Sequence, residues 1–273
     1  MININRLIET LSIPSFYGKE DLIREYIVNT LNEKNINNYV DEYGNIYATK
    51  GNTEYFPCVV SHIDTVHEIT EYKIIEENYN LSAIKPDGSP TGIGGDNKAG
   101  TFVCLELLDY FDNIKAAFFV SEEVGCLGSS LSDPEFFKNV GYALQFDAPH
   151  DNWVTHYCDG VKLFEKNSEF YDKIKPILTE CLRDFTEDRL GFHPYTDVSA
   201  LKRLYDFSCL NYSVGYYNMH SIYEYVSIND VNTCLKTAIK LINELGENLY
   251  FLEKNDQNIN KKLIIERLKK YKA

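Results

Sequence analysis

The chain has 273 residues, 44% of them hydrophobic, which suits a single α/β domain with a substantial core. Its formal net charge is −14, and no run of lysine or arginine is dense enough to follow a phosphate backbone, which argues against nucleic acid and anionic membranes as partners. The seven cysteines are scattered and never form CxxC, no apolar run reaches membrane-spanning length, and the opening MININRLIETL lacks a secretory pattern, so a cytoplasmic chain starting near Met1 with reduced thiols is expected.

Apolar residues recur at helical spacing through Ile4 to Leu11 and through Leu22 to Leu31, with Pro14, Ser15 and Gly18 marking the break between two amphipathic helices. Asn38 to Thr49 reads as a hairpin turning at Tyr43-Gly44-Asn45, and Tyr55 to Ser61 as a buried strand. Further buried strands are expected at Ala116 to Val120 and Tyr142 to Phe146, with helical patterns over Lys98 to Phe111 and Ser129 to Lys138. A strand at Ser208 to Tyr212 precedes a long helix over Asp230 to Leu245, and Lys261 to Lys270 reads as a basic helix, solvated or docking. Strands alternate with helices, as in a sheet covered on both faces. No internal repeat, low-complexity tract or linker breaks the pattern.

In such sheets ligands collect at the carboxyl ends of strands. FPCVV is followed by Ser61-His62-Ile63-Asp64, AAFFV by Ser121-Glu122-Glu123, and YALQF by Asp147, while Asp96 opens a helix and His220 follows an aromatic stretch. Any one of these acids alone is more often a helix cap or turn former than a ligand, and a lone histidine is usually just hydrogen-bonded. Convergence changes the balance, because one metal site explains every strand end at once. His67, His150, His156 and His193 have no such support and are expected to be structural, although His193 in HPYTD could face the site.

The spacings carry chemistry. His62 and Asp64 lie two apart and project to the same side of an extended chain, so Asp64 can hold the imidazole and raise its basicity. In Glu122-Glu123 the neighbours point in different directions, so one can bind metal while the other takes a proton from water. TGIGGDNKAG, residues 91 to 100, is no P-loop, because Lys98 follows Asn97 and precedes Ala99, and no dinucleotide fingerprint, because position 97 is Asn97. Its glycines can bring backbone close to an ion and set Asp96 just before a helix.

The ordered set SHIDTV, TGIGGDNKAG, SEEVGCLGSS, FDAP and NMHSIYEYVSINDV, with the opening LIETLSIPSFYGKED and DEYGNI, resembles the co-catalytic double-zinc exopeptidases, which include peptidase T-like tripeptidases, carboxypeptidase G-like enzymes and double-zinc aminopeptidases. The resemblance spans nearly the whole chain. It implies a three-layer αβα fold with a central mixed, mostly parallel sheet. It implies that Asp96 bridges two zinc ions, completed by His62 and Asp147 on one side and by Glu123 and His220 on the other. Glu122 would then be the general base that activates the bridging water, and Asp64 would orient His62. A cis peptide bond is expected between Asp96 and Asn97.

Only 72 residues separate Asp147 from His220, too few for both the core elements and the lid domain that many relatives insert there, so a lid-less single domain over residues 1–273 is expected. In the family an aspartate at position 147 goes with aminopeptidases, which favours release of an N-terminal residue from a short peptide or an aminoacyl small molecule. Tyr195, Tyr216 and Tyr217 could shape a pocket or pack in the core. Zinc is the expected metal, with cobalt or manganese as substitutes. An N-acyl amino acid deacylase, a glutaminyl cyclase-like acyltransferase and a catalytically inactive binding module remain alternatives, and the oligomeric state stays open.

Overall fold

A computed structural model describes residues 2–187, 190–193, 195–255 and 261–272, and the side chains of 192, 193 and 272 lie outside the description. His193 is therefore placed by its backbone alone. Two helices open the chain, α1 (Ile4–Leu11) and α2 (Asp21–Glu33), followed by the hairpin β1 (Asn37–Val40) and β2 (Ile46–Lys50) and the strand β3 (Phe56–His62). Next come β4 (Lys73–Glu77), β5 (Asn80–Ile84), β6 (Pro90–Thr91), α3 (Gly95–Tyr110) and β7 (Ile114–Phe119). A 3-10 turn (Ser129–Leu131), α4 (Pro134–Phe137) and β8 (Val140–Ala148) lead to β9 (Val154–Cys158), β10 (Val161–Lys162) and α5 (Glu169–Cys181). The chain closes with β11 (Leu190–His193), α6 (Asp197–Leu204), β12 (Ser208–Ser213), β13 (Tyr216–Tyr217), β14 (Tyr225–Ser227), α7 (Ile228–Leu245) and α8 (Lys261–Lys272).

Local chemistry accounts for these elements. Asn3 caps α1 by accepting from the Arg6 N–H at 3.2 Å, and Leu7 and Leu11 turn the buried stripe inward. Ser227 caps α7, whose buried residues Val231, Cys234, Ala238, Leu241 and Leu245 recur every three or four positions. Asp41 closes the first hairpin by accepting from the N–H groups of Tyr43 and Asn45, each at 2.9 Å. Ser129 to Lys138, expected as one helix, instead forms the 3-10 turn and the four-residue α4. The cause is Pro134, which disfavours helical geometry at Asp133, so Asp133 becomes a new cap and accepts from Glu135 N at 2.9 Å.

The main sheet runs β1-β2-β7-β3-β8-β12-β9-β10, with β11 also paired to β9. Its centre, β7-β3-β8-β12, is parallel, while both margins carry antiparallel pairs. Strands β3, β7, β8 and β12 are buried along their whole length, the first three as their largely apolar runs require and β12 despite three polar residues. Helices α1, α3, α7 and α5 pack side by side in one layer, and α6 lies on β3, β8, β10 and β12 against the 3-10 turn, completing three layers around a mixed sheet with a parallel core. The 72 residues between Asp147 and His220 supply β9 to β12, α5 and α6 to this same arrangement.

A second, smaller sheet, β13-β14-β5-β4 with β6 on β5, was not legible in the sequence. Two of its strands are only two residues long, and β4 is largely exposed, so neither alternation nor a long apolar run marks them. All seven cysteines are free, six of them buried. Among the described residues no helix is long and apolar enough to cross a membrane.

Candidate metal centre

Parallel neighbours end on the same edge of a sheet, so β7, β3 and β8 deliver their C-terminal residues to one place. The register sharpens this. Val60 on β3 pairs with Gln145 on β8, so His62 and Asp147, each two residues further on, stand side by side on the same face. His62 Nε2 lies 3.3 Å from Asp147 Oδ1 and 3.2 Å from Asp96 Oδ1. His220 Nε2 lies 3.2 Å from Asp96 Oδ2 and 3.2 Å from Glu123 Oε2. The two oxygens of Asp96 are thus divided between two imidazoles, each with a second carboxylate. Glu122 borders the same cluster, with Oε2 3.9 Å from His62 Nε2.

Asp96 stands just past the N-terminus of α3, where the helical geometry is interrupted, and the Asp96-Asn97 peptide is cis, as expected. Gly94 takes φ 69°, open to glycine, and a Cβ on Gly95 would meet Val226 Cγ2 at 2.5 Å and Tyr216 Cβ at 2.9 Å. Gly95 therefore serves close packing against the second sheet. Glu224, unremarked in the sequence, clamps the loop from that sheet. Its buried carboxylate accepts from Gly94 N at 2.8 Å and Asp96 N at 3.0 Å, and lies 3.0 Å from His67 Nε2. Because Glu224 holds the aspartate's backbone without touching the cluster, Glu224→Ala should weaken divalent-ion affinity by about 10- to 100-fold, read by calorimetric titration, with the ion-to-protein ratio intact.

Asp64 does more than steady His62. His62 Nδ1 lies 3.0 Å from the Asp64 backbone oxygen and 3.5 Å from Asp64 Oδ1, while the same carboxylate accepts the Glu122 N–H at 2.9 Å and the Glu123 N–H at 3.1 Å. One buried side chain therefore positions the ends of both β3 and β7. Gln145 forms the floor below Asp147, its amide donating to Asp147 Oδ2 and to Asp197 Oδ2, each at 3.2 Å. Thr196 Oγ1 lies 3.0 Å from Asp147 Oδ2 and 2.6 Å from Gln145 Oε1. A glutamine inside the apolar run YALQF was the available signal for this floor, whereas Thr196, Asp197 and Glu224 carried none.

The electrostatics are those of acids short of cations. Burial, reinforced by the Asp96 charge, pushes Glu123 up to about 8. Burial likewise holds Glu122 well above the carboxylate range, although His62 pulls the other way. Hydrogen bonds to Asp96 and Glu123 raise His220 to about 11. Burial works against the His62 charge, but Asp147 and Glu122 hold its proton more tightly than usual. Asp96, Glu122 and Glu123 pair with these two histidines and with no lysine or arginine among the described residues. Glu123 Oε1 is buried without a hydrogen-bond partner. His62, Asp96 and Glu123 each offer a ligand atom within 4.8 Å of the others. Divalent cations fit this donor set, since they would engage the orphaned oxygen and offset the crowded negative charge.

The remaining candidates separate cleanly. His156 bonds the Phe164 carbonyl at 3.0 Å and His67 bonds Glu224, both structural as expected. His150 packs edge-on against Tyr217 but also borders the cleft above the cluster. Tyr195 borders that cleft, whereas Tyr216 is core and Tyr217 stacks on Tyr225 with centroids 4.8 Å apart. The cleft encloses about 760 Å³.

The fold matches known structures over most of its length. The aminopeptidase PepT of Bacillus cereus superposes with a TM-score of 0.73 at 12% identity, covering 89% of this chain and 97% of that one. The chain has the fold of the double-zinc exopeptidases. A tripeptidase from Staphylococcus aureus gives 0.70 at 14% identity, covering 88% and 96%, and an aminopeptidase from the archaeon Desulfurococcus kamchatkensis gives 0.67 at 12%, covering 89% and 95%. No family model and no curated protein matches the sequence.

Proposed function

We propose that the chain is a metal-dependent aminopeptidase acting on short peptides through two zinc ions, with cobalt or manganese as working substitutes. The observation that carries this is the division of the Asp96 carboxylate, one oxygen 3.2 Å from each of two imidazoles. His62, Asp96 and Asp147 would hold one ion, and Asp96, Glu123 and His220 the other. That the structural neighbours are peptidases supports the same reading. Bound divalent ions supply Lewis acidity, polarising the scissile carbonyl and lowering the pKa of a water.

The protein's own residues do the rest. Glu122 takes the proton of the attacking water at Oε2, the oxygen facing the cluster, and returns it to the leaving amine. Oε1 accepts from the Cys126 thiol at 3.4 Å, which keeps the side chain turned toward the cleft. Asp64 fixes the turn that presents Glu122 and Glu123, and Gln145 and Thr196 fix Asp147. Among the described residues all of this comes from one catalytic unit without an inserted lid domain, and free thiols suit a reducing, cytoplasmic compartment.

Metal titration tests the proposal. The expected result is two zinc ions per chain, a thermal midpoint lowered by about 5–10 °C on chelation from saturating metal, and loss of peptide hydrolysis restored by zinc. Chelator-resistant hydrolysis, or a ratio of one ion per chain, would overturn it.

A further inference from the structure

We propose that Arg267 anchors the free C-terminal carboxylate of the substrate, so that the site favours peptide acids over the corresponding amides; this rests on the peptidase reading above. The basic helix α8 packs against the body of the protein. Leu268 is buried, Ile264 and Tyr271 pack against the core, and Tyr271 meets Tyr17 edge-on with centroids 5.5 Å apart. Ile264, Arg267, Leu268 and Tyr271 follow the i, i+3, i+4, i+7 spacing of a single helix face, so docking this stripe brings Arg267 to the cleft wall.

Arg267 is the one lysine or arginine among the described residues that border the cleft, whose other charged walls are Asp96, Glu122, Glu123 and Asp147. Its side chain is exposed and donates from Nη2 to the Val124 carbonyl at 2.7 Å. No carboxylate pairs with it among the described residues. A planar guanidinium offers five N–H donors in a fork that fits a carboxylate, and the Val124 bond commits only one of them. The sign suits the acid end of a peptide and repels its amino end.

Val124 and Gly125 directly follow Glu123, and a methyl on Gly125 would lie 3.4 Å from Arg267 Nη2. The guanidinium therefore lies against the turn that follows Glu123, at the wall of the cleft.

The test compares a tripeptide acid with its C-terminal amide. Binding of both to zinc-loaded Glu122→Gln protein is measured by calorimetry, alone and combined with Arg267→Ala or Arg267→Lys, and hydrolysis of both by protein with Glu122 intact. The acid should bind about 10- to 100-fold tighter than the amide, the ratio should fall to near one in Arg267→Ala, and Arg267→Lys should restore part of it. An acid-to-amide ratio near one with Arg267 present, or a ratio that survives Arg267→Ala, overturns the anchor. Absence of hydrolysis for both peptides counts against the peptidase reading instead, while the binding ratios still decide the role of Arg267. Arg267 lies on an exposed helix surface, and circular dichroism checks that the fold persists in each variant.

Discussion

Glu122→Gln should lower kcat by about 10²- to 10⁴-fold while zinc stoichiometry and the folded state persist. Glutamine keeps the shape and can still accept from the Cys126 thiol, but it cannot take a proton. Glu122 is suited to that task because its Oε2 faces the cluster, 3.9 Å from His62 Nε2. Its backbone N–H bond to Asp64 is unaffected by the substitution. Stopped-flow or steady-state hydrolysis with metal analysis on the same sample checks the outcome. Retained kcat would remove Glu122 from the mechanism, and loss of zinc would make it a ligand rather than a base.

Asp64→Ala should destabilise the protein by about 3–5 kcal/mol, the largest stability effect expected at this site. The substitution strips the acceptor from two buried N–H groups, those of Glu122 and Glu123, and leaves the turn after β7 without its tether. It also frees His62, whose Nδ1 lies 3.5 Å from the lost carboxylate, so zinc affinity should fall as well. Urea unfolding with and without zinc separates the two losses. A stability change below about 1 kcal/mol in the metal-free protein would show that water replaces the carboxylate at both N–H groups.

Much of the cluster was legible because its residues end apolar strands. FPCVV, AAFFV and YALQF mark buried parallel strands, and in a parallel sheet consecutive C-terminal ends share an edge, which groups His62, Glu122, Glu123 and Asp147 from the sequence alone. Asp96 and His220 stood out at a helix mouth and after an aromatic stretch, and their ligand roles came from the family pattern. Their pairing distances, and the splitting of Asp96 between two imidazoles, needed the folded chain.

The sequence by itself determined the alternation of strands and helices, the long capped helix α7, and the identity of the acids and histidines, because periodicity and strand-end position are local properties. Only the tertiary structure decided that Glu224 holds the Asp96 loop, that Asp64 serves the turn after β7 as well as His62, and that α8 carries Arg267 to the cleft. Each of these joins residues 58 to 143 positions apart, and no local pattern encodes a partner at that range. The second sheet belongs to the same class, since its local pairs, among them β5 with β6 and β13 with β14, become one sheet only where β14 reaches β5 from the far side of the chain.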